Sequence, residues 1–389
     1  YYEWLPDSTS AGWPYNVMRK GQGPLQTKKK FWMEYIRDEN LRPIDVKIDP
    51  QVLKDIERDM DLRRQGILAP IVFQDVLKDE KRPLEKLMKK GGTRVFSMSP
   101  INASLVMRQY SLDLTSYLRK HRIKNWCTIG INPDSPEWGK LVTHLKTKGN
   151  NIFTIDYTNF GPGLNVEVAS EFRTLMKKFY NKYQALGEGD ENVIDSIIYE
   201  LMYSVHLAGG TLYRTKSGSP SGAAITVEIN SFTHLMYVLI CWQIIGRILF
   251  LMRYKSDEIS NISFMKLYQP LVKYFEEIGI QPDLYDDIDG NFDVFYENVS
   301  GCVYGDDGIF SVTNEFRSIF NAKTISLALS CHGICATDAT KQKTIQTFTT
   351  LDEATFLKRK FKPHPKHRGE WLAPIDKISI EECARWIHR

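Results

Sequence analysis

Two aspartates stand side by side in "CVYGDDGIFSV", Cys302–Val312, and a third, Asp156, closes the apolar run of "IFTIDYTNF", Ile152–Phe160. Gly305 and Gly308 flank the pair and tolerate positive φ. The first stretch therefore reads as a β-hairpin whose turn, residues 305–308, holds Asp306 and Asp307 at the rim of a sheet. Alone, an Asp- and Gly-rich turn is commonplace on a surface. A neighbouring strand that carries Asp156 to the same rim changes the reading, because gathered carboxylates repel one another unless cations join them. Mg²⁺ takes one or two carboxylates together with substrate phosphate oxygens. Two such ions, ~3.5–4 Å apart, would activate an attacking hydroxyl and stabilise the leaving oxygen of a phosphoryl transfer.

The elements that must position these groups are legible in outline. Ser135 before Pro136, then apolar Trp138, Leu141, Val142 and Leu145 and a terminal Gly149, predict a helix over 135–149. A second is predicted from about Asn314 to Ser330, with Phe316, Ile319, Phe320 and Ala322 on its apolar side and a stop at Gly333. Strands are predicted at 151–155, 302–304 and 309–312. Residues 235–252 form the longest apolar run, interrupted by Gln243, Gly246 and Arg247. An Arg near the middle of a membrane span costs ~2.5–3.5 kcal/mol or more, so this run is expected to be a buried core helix, and no transmembrane segment is expected. The fold class is α+β.

Composition narrows the class without naming it. The 389 residues exceed one ordinary core and predict two or three subdomains. With 42% hydrophobic and 12% aromatic residues the chain can bury a large interior, which excludes a disordered class. A net charge of +4 is too mild to diagnose a polyanion partner, but basic residues cluster locally. Arg19, Lys20, Lys28, Lys29 and Lys30 occur with no acidic residue among them, and Lys78, Lys81, Arg82, Lys86, Lys89, Lys90 and Arg94 outnumber Asp79, Glu80 and Glu85. Either run alone suits a solvated face; two near the front of one chain suit a groove for a phosphate backbone or a triphosphate. The six cysteines are scattered, mostly in apolar stretches, and read as buried thiols. A zinc set drawn from Cys331, Cys335, His364 and His367 has awkward spacing, so packing is the preferred role.

Taken together, "DYTNF", "SGSPSGAAITVEIN" and "YGDD", in that order, resemble the palm of a positive-strand RNA virus RNA-dependent RNA polymerase. Order and spacing resemble the picornavirus-like group, its dicistrovirus or iflavirus branch included, over residues 8–362. "GDD" alone is a weak signal; seven motifs in order are a strong one. The resemblance implies a right-hand polymerase with an antiparallel-sheet palm packed on helices. Fingers would comprise 1–113 and 164–220, palm 114–163 and 221–362, and the beginning of a thumb 363–389.

The same resemblance implies roles. Asp156 and Asp306 would be metal ligands with Asp307 assisting, Mg²⁺ being the ion and Mn²⁺ its substitute. In "SGSPSG", Ser221 and Gly222 would touch template or nucleotide, with Thr226 and Asn230 sensing the ribose. "LKDE" through "GGTRVF" resembles the basic fingers motif and makes Lys78 and Arg94 triphosphate clamps. "TSAGWPY", with Ser10 and Gly12, resembles the template-entry motif. "GICATDATK" puts Lys341 where the family has a lysine that protonates departing pyrophosphate. "FLKR", with Leu357 and Lys358, resembles the hairpin that supports the primer end. Nucleotidyl transfer needs an aligned 3′-hydroxyl, charge neutralisation on three phosphates and a proton for the leaving group, which these residue types can supply. Without the ordered motifs, Lys341 would read as a solvated lysine and Asn230 as an ordinary helix residue. Ser221 does not read as a hydrolase nucleophile, because "GSPSG" puts Pro220 where G-x-S-x-G needs serine.

One position departs from the pattern. Many relatives carry a second aspartate five residues after the first, where it helps recognise the ribose 2′-hydroxyl; here that position is Gly161. Asn230 is then expected to carry most of the discrimination. A reverse transcriptase reading is disfavoured by Gly161 and Asn230, and a non-catalytic RNA-binding reading by the intact Asp156, Asp306, Asp307 and Lys341. The partners implied are RNA template and primer, NTPs, a small viral protein primer and other viral replication proteins, in a membrane-associated replication complex of the host cytoplasm. The chain starts without Met, and few residues follow the primer-supporting hairpin. It reads as a piece of a longer chain, with lower processivity expected of the piece alone.

Overall fold

A computed structural model describes residues 4–18, 23, 25–80, 82, 84–253, 263–338, 344–375, 377 and 379–381. The chain divides into two compact units: Tyr1–Tyr117 with Gly161–Ile229, and Leu118–Phe160 with Asn230–Arg389.

In the first unit, β1 (Met33–Arg37) and β2 (Pro43–Ile48) form an antiparallel hairpin. The helix Pro50–Arg64 follows. It starts where the Asp49 side chain accepts the Gln51 N–H and where Pro50 needs no donor of its own. Near its other end Arg63 is fully buried and bidentate on Glu200, which also accepts the Ala69 N–H, while Arg63 Nη1 has no hydrogen-bond partner among the described residues. β3 (Val72–Leu77), β4 (Val95–Met98), β6 (Val205–Ala208) and β7 (Thr211–Arg214) make a mixed sheet in the order β4-β3-β6-β7, with β3 and β6 parallel.

The second unit carries an antiparallel sheet ordered β10-β5-β9-β8, from β5 (Asn151–Tyr157), β8 (Val299–Tyr304), β9 (Asp307–Val312) and β10 (Ala336–Thr337). β5, β8 and β9 are buried almost throughout, which their unbroken apolar runs require. The helix Glu137–Lys146 buries Trp138, Leu141, Val142 and Leu145, and Trp138 stacks on Phe361 at 4.7 Å. Near the chain's end β11 (Lys362–Pro363) pairs with β12 (Trp371–Leu372). The α+β class and an antiparallel sheet backed by helices are as expected.

Two local expectations change. The hairpin turn is tighter than four residues: Tyr304 pairs with Asp307, leaving only Gly305 and Asp306 in the turn, so Asp307 begins β9. The second predicted helix starts at Ala322 rather than Asn314. Asn321 and Thr324 form a capping box there, which fixes the first turn, while Phe316, Ile319 and Phe320 still reach the core from the turns before it. The zinc set does not assemble: among the described residues no three His, Cys, Asp or Glu side chains cluster to hold an ion. His364 Nδ1 instead accepts the backbone N–H groups of Lys366 and His367.

The helix Thr226–Arg253 is the one described helix long and apolar enough to cross a membrane, and 56% of its most apolar stretch is buried within the protein. Cys241, Trp242, Ile245, Ile248 and Leu249 are fully buried, as a core helix requires. Cys127, Cys241 and Cys302 are buried and free; Cys331 is half-buried and Cys335 exposed. Cys383 lies outside the described residues.

Candidate functional site

The carboxylate rim belongs to the second unit. β5 and β9 pair from Asn151↔Val312 to Ile155↔Gly308, and Asp156 and Asp307 are the next residues of their strands beyond that ladder. On its other side Asp156 pairs with Thr337 of β10. Asp306 is exposed at the tip of the turn, while Asp156 and Asp307 are half-buried. Carboxylates gathered at one sheet rim repel one another, and a cation would relieve that repulsion. Among the described residues no three such side chains, these three included, cluster closely enough to hold an ion by themselves, so an ion here would complete its shell with water and phosphate oxygens.

The turn is held from beneath by two side chains that sequence reasoning did not single out. Ser231 Oγ accepts the Gly305 N–H at 2.8 Å, and His234 Nδ1 donates to the Gly305 carbonyl at 3.3 Å. Their i, i+3 spacing at the start of the helix Thr226–Arg253 puts both on one face, which was the available signal. Gly305 itself has φ of +61°, as the first residue of such a tight hairpin turn demands. His234 is fully buried and burial pushes its pKa down to about 3, so it is a neutral imidazole carrying its proton on Nδ1. A Cβ on Gly308 would lie 2.5 Å from His234 Cε1, so glycine is needed where the imidazole packs beneath the strand. Tyr157 meets the same imidazole edge-on at 4.8 Å.

Lys341 lies outside the described residues. Near the end of the chain, Leu357 and Lys358 form a two-residue turn, closed by hydrogen bonds in both directions between Phe356 and Arg359, with φ of +54° and +59°. Two non-glycine residues in the left-handed region cost roughly 1–2 kcal/mol each, and such strain persists where geometry is over-determined.

The first unit carries the other predicted residues. Lys78 and Arg94 are brought together by the β3–β4 ladder, and both engage Glu80: Arg94 with two prongs, Lys78 at 3.6 Å. The Arg94 hydrogen bonds hold the Glu80 carboxyl below its ordinary range. Ser221 Oγ accepts the Ser97 N–H at 3.1 Å, and Gly222 bridges to Met98 so closely that any Cβ would collide with the Ser97 carbonyl. Thr226 turns its hydroxyl onto the carbonyls of Pro220 and Ala223, at 2.8 and 3.0 Å, closing the loop onto the helix it precedes. Ser10 Oγ accepts the Gly12 N–H, and a Cβ on Gly12 would lie 2.5 Å from the Ser99 carbonyl oxygen. β4 and the two residues after it are thus a common support for the segments around Gly12, Ser221 and Arg94. At Gly161 an added Cβ meets nothing within 4 Å, so no crowding demands glycine there. In the second unit, the Asn230 Oδ1 is buried with no hydrogen-bond partner among the described residues.

The whole chain, residues 1–389, matches the model of the viral RNA-dependent RNA polymerase family. It is 30% identical over 384 residues to the genome polyprotein of deformed wing virus, covering 98% of this chain and 12% of that polyprotein. The replicase polyprotein of acute bee paralysis virus is 29% identical over 343 residues, 87% of this chain and 16% of the relative. The RNA1 polyprotein of cowpea mosaic virus is 26% identical over 389 residues, 100% of this chain and 18% of the relative. The chain therefore spans a small part of the curated relatives it matches. Among solved structures, a sicinivirus 3Dpol RNA-dependent RNA polymerase has a TM-score of 0.71 at 16% identity, over 98% of this chain and 65% of that one, a likeness of fold.

Proposed function

Because the chain belongs to the viral RNA-dependent RNA polymerase family, we propose that it joins ribonucleoside triphosphates to an RNA 3′-end on an RNA template, releasing pyrophosphate, as part of viral genome replication. The observation that carries this reading is the rim of the second unit, where Asp156 and Asp307 stand just beyond the last β5–β9 pair, beside a turn presenting Asp306. These three carboxylates would hold divalent cations, Mg²⁺ or in its place Mn²⁺, and a bound pair supplies charge neutralisation on the phosphates and activation of the attacking hydroxyl.

The protein's own contribution is position and charge. Ser231 and His234 hold the backbone N–H and carbonyl of Gly305, the residue from which Asp306 projects. In the other unit Arg94 and Lys78, both exposed, pair with Glu80, and a triphosphate, carrying more charge than one carboxylate, would displace that partner. Lys341 is assigned the proton for pyrophosphate by motif position alone. With glycine at 161, the buried Asn230 Oδ1 is the acceptor assigned to the ribose 2′-hydroxyl.

Extension of an annealed RNA primer is the test. Mg²⁺-dependent incorporation of NTPs is expected, with a loss of about a thousandfold or more in Asp306→Ala, the several kcal/mol that a metal supplies. Equal extension by the variant would remove the hairpin from the chemistry. Asn230→Ala should reduce the preference for NTP over dNTP by about tenfold, one lost hydrogen bond to a buried acceptor, and an unchanged preference would move ribose selection elsewhere.

A further inference from the structure

A carboxylate that no predicted motif uses lies in the middle of the first unit's sheet. Asp75, on β3, has a side chain 5% exposed. Its Oδ1 accepts from Ser97 Oγ at 2.7 Å and from His206 Nδ1 at 2.9 Å, and its Oδ2 accepts from the Tyr213 hydroxyl. A carboxylate is an acceptor only, so the imidazole carries its proton on Nδ1 and the three donors converge on one negative charge. His206 continues the chain of contacts: its Nε2 meets Ser204 Oγ at 2.8 Å, and that hydroxyl meets Thr215 Oγ1 at 3.0 Å. The Thr215 N–H also donates to the Ser204 carbonyl. Tyr213 stacks on the His206 ring with centroids 5.2 Å apart, closing the network against solvent. Burial pushes the Asp75 pKa up, but the bonds from Tyr213, Ser97 and His206 outweigh it and hold the carboxyl below its ordinary range.

The order of contacts Ser204, His206, Asp75 is that of a serine hydrolase, yet it is not a nucleophile site. Ser204 is 2% exposed and already bonded to Thr215, so no acyl group reaches it. What the network touches is the loop of residues 216–221. Thr215 enters that loop and hangs on Asp75 through Ser204 and His206. Ser221 leaves it and hangs on Asp75 through Ser97, whose Oγ donates to the carboxylate while its backbone N–H donates to Ser221 Oγ. The middle of the loop rests on Gly161 and Leu164, whose carbonyls accept the N–H groups of Ser219 and Gly218.

We propose that Asp75 is a positioning residue that anchors both ends of the 216–221 loop, through His206–Ser204–Thr215 at one end and Ser97 at the other, and so sets where Ser221 meets the nucleotide or template. The role assigned to Ser221 rests on the polymerase reading above; the anchoring does not. A shared charged acceptor couples the two ends, so loosening one loosens the other, which separate neutral bonds would not do.

Asp75→Asn keeps the shape and removes the charge. Hydrogen exchange across residues 215–222 is expected to quicken by about tenfold, the scale of one charge-assisted bond, while β1 and β2 exchange as before. Ser97→Ala should reproduce the acceleration, Ser97→Thr should restore protection, and Asp75→Asn combined with Ser97→Ala should be no worse at 221 than either alone. In primer extension the same variants should raise the KM for NTP several-fold more than they lower kcat. Unchanged exchange across 215–222 in folded Asp75→Asn, or strictly additive effects in the double variant, would overturn the proposal. Exchange reads the anchoring without turnover, so an inactive wild-type chain would count against the polymerase reading only. Because Ser97→Ala removes one hydroxyl, it supplies the same test should Asp75→Asn fail to fold.

Discussion

The two places where this chain holds a functional backbone in position use opposite physical means. Beneath the hairpin turn of the second unit the support is apolar and uncharged: a neutral His234, Tyr157 against its ring, the Phe310 ring 5.9 Å away, and one hydroxyl, Ser231. Around the 216–221 loop of the first unit it is a buried charge with three donors, Asp75. Close packing tolerates no extra volume and resists salt; a charged network tolerates volume but depends on protonation and on every donor being present. The difference suits the tasks. On the proposed function, a rim of carboxylates receiving cations gains from a floor with no competing charge, whereas a loop gripping and releasing a ligand gains from bonds that can be re-formed.

Three measurements break or sharpen this contrast. Gly308→Ala forces a Cβ against the His234 ring and should cost about 1–3 kcal/mol, read as a fall in the urea midpoint, as overpacking does in tight cores. A cost near zero would mean that the floor of the turn is not closely packed.

Acid separates the two supports. Burial lowers the His234 pKa from 6.5 to about 3, so the unfolded chain binds the extra proton between those values. Its contribution is complete above pH 6.5 and is lost as pH falls towards 3, at up to about 1.4 kcal/mol per pH unit. The Asp75 carboxyl is depressed below its ordinary 3.8, so its contribution is complete above that pH and lost only below it. Hydrogen exchange as a function of pH, corrected for intrinsic rates, should therefore show the 299–312 hairpin loosening at a higher pH than residues 215–222. The reverse order would dissolve the comparison.

The smallest effect concerns the turn at Leu357 and Lys358. Lys358→Gly relieves a left-handed residue costing ~1–2 kcal/mol and adds chain entropy worth ~0.5–1 kcal/mol, so a net gain of about 0.5–1 kcal/mol is expected in thermal unfolding. Lower stability would show that the Lys358 side chain does more at this turn than its backbone strain costs.

Much of the site was legible in the chain because its signals are local. Asp156 at the end of an apolar run, and Asp306 and Asp307 between glycines, needed only strand alternation and turn chemistry, and the ordered motifs then named the family. The limits are as instructive. Asp306 and Asp307 look equivalent in sequence, yet pairing of Tyr304 with Asp307 leaves one in the turn and the other in the strand. The helix expected from Asn314 starts at Ala322 because a capping box, a geometric event among three residues, outweighs the apolar spacing before it.

Sequence by itself therefore determined the α+β class, the hairpin with its two aspartates and the core helix, since each is encoded within a few consecutive residues. Tertiary structure alone decided what holds them. Ser231 and His234 lie over 70 residues from the turn they support. Asp75 meets His206 across 131 positions. Strand register and helix packing create such neighbours, and no local pattern records them.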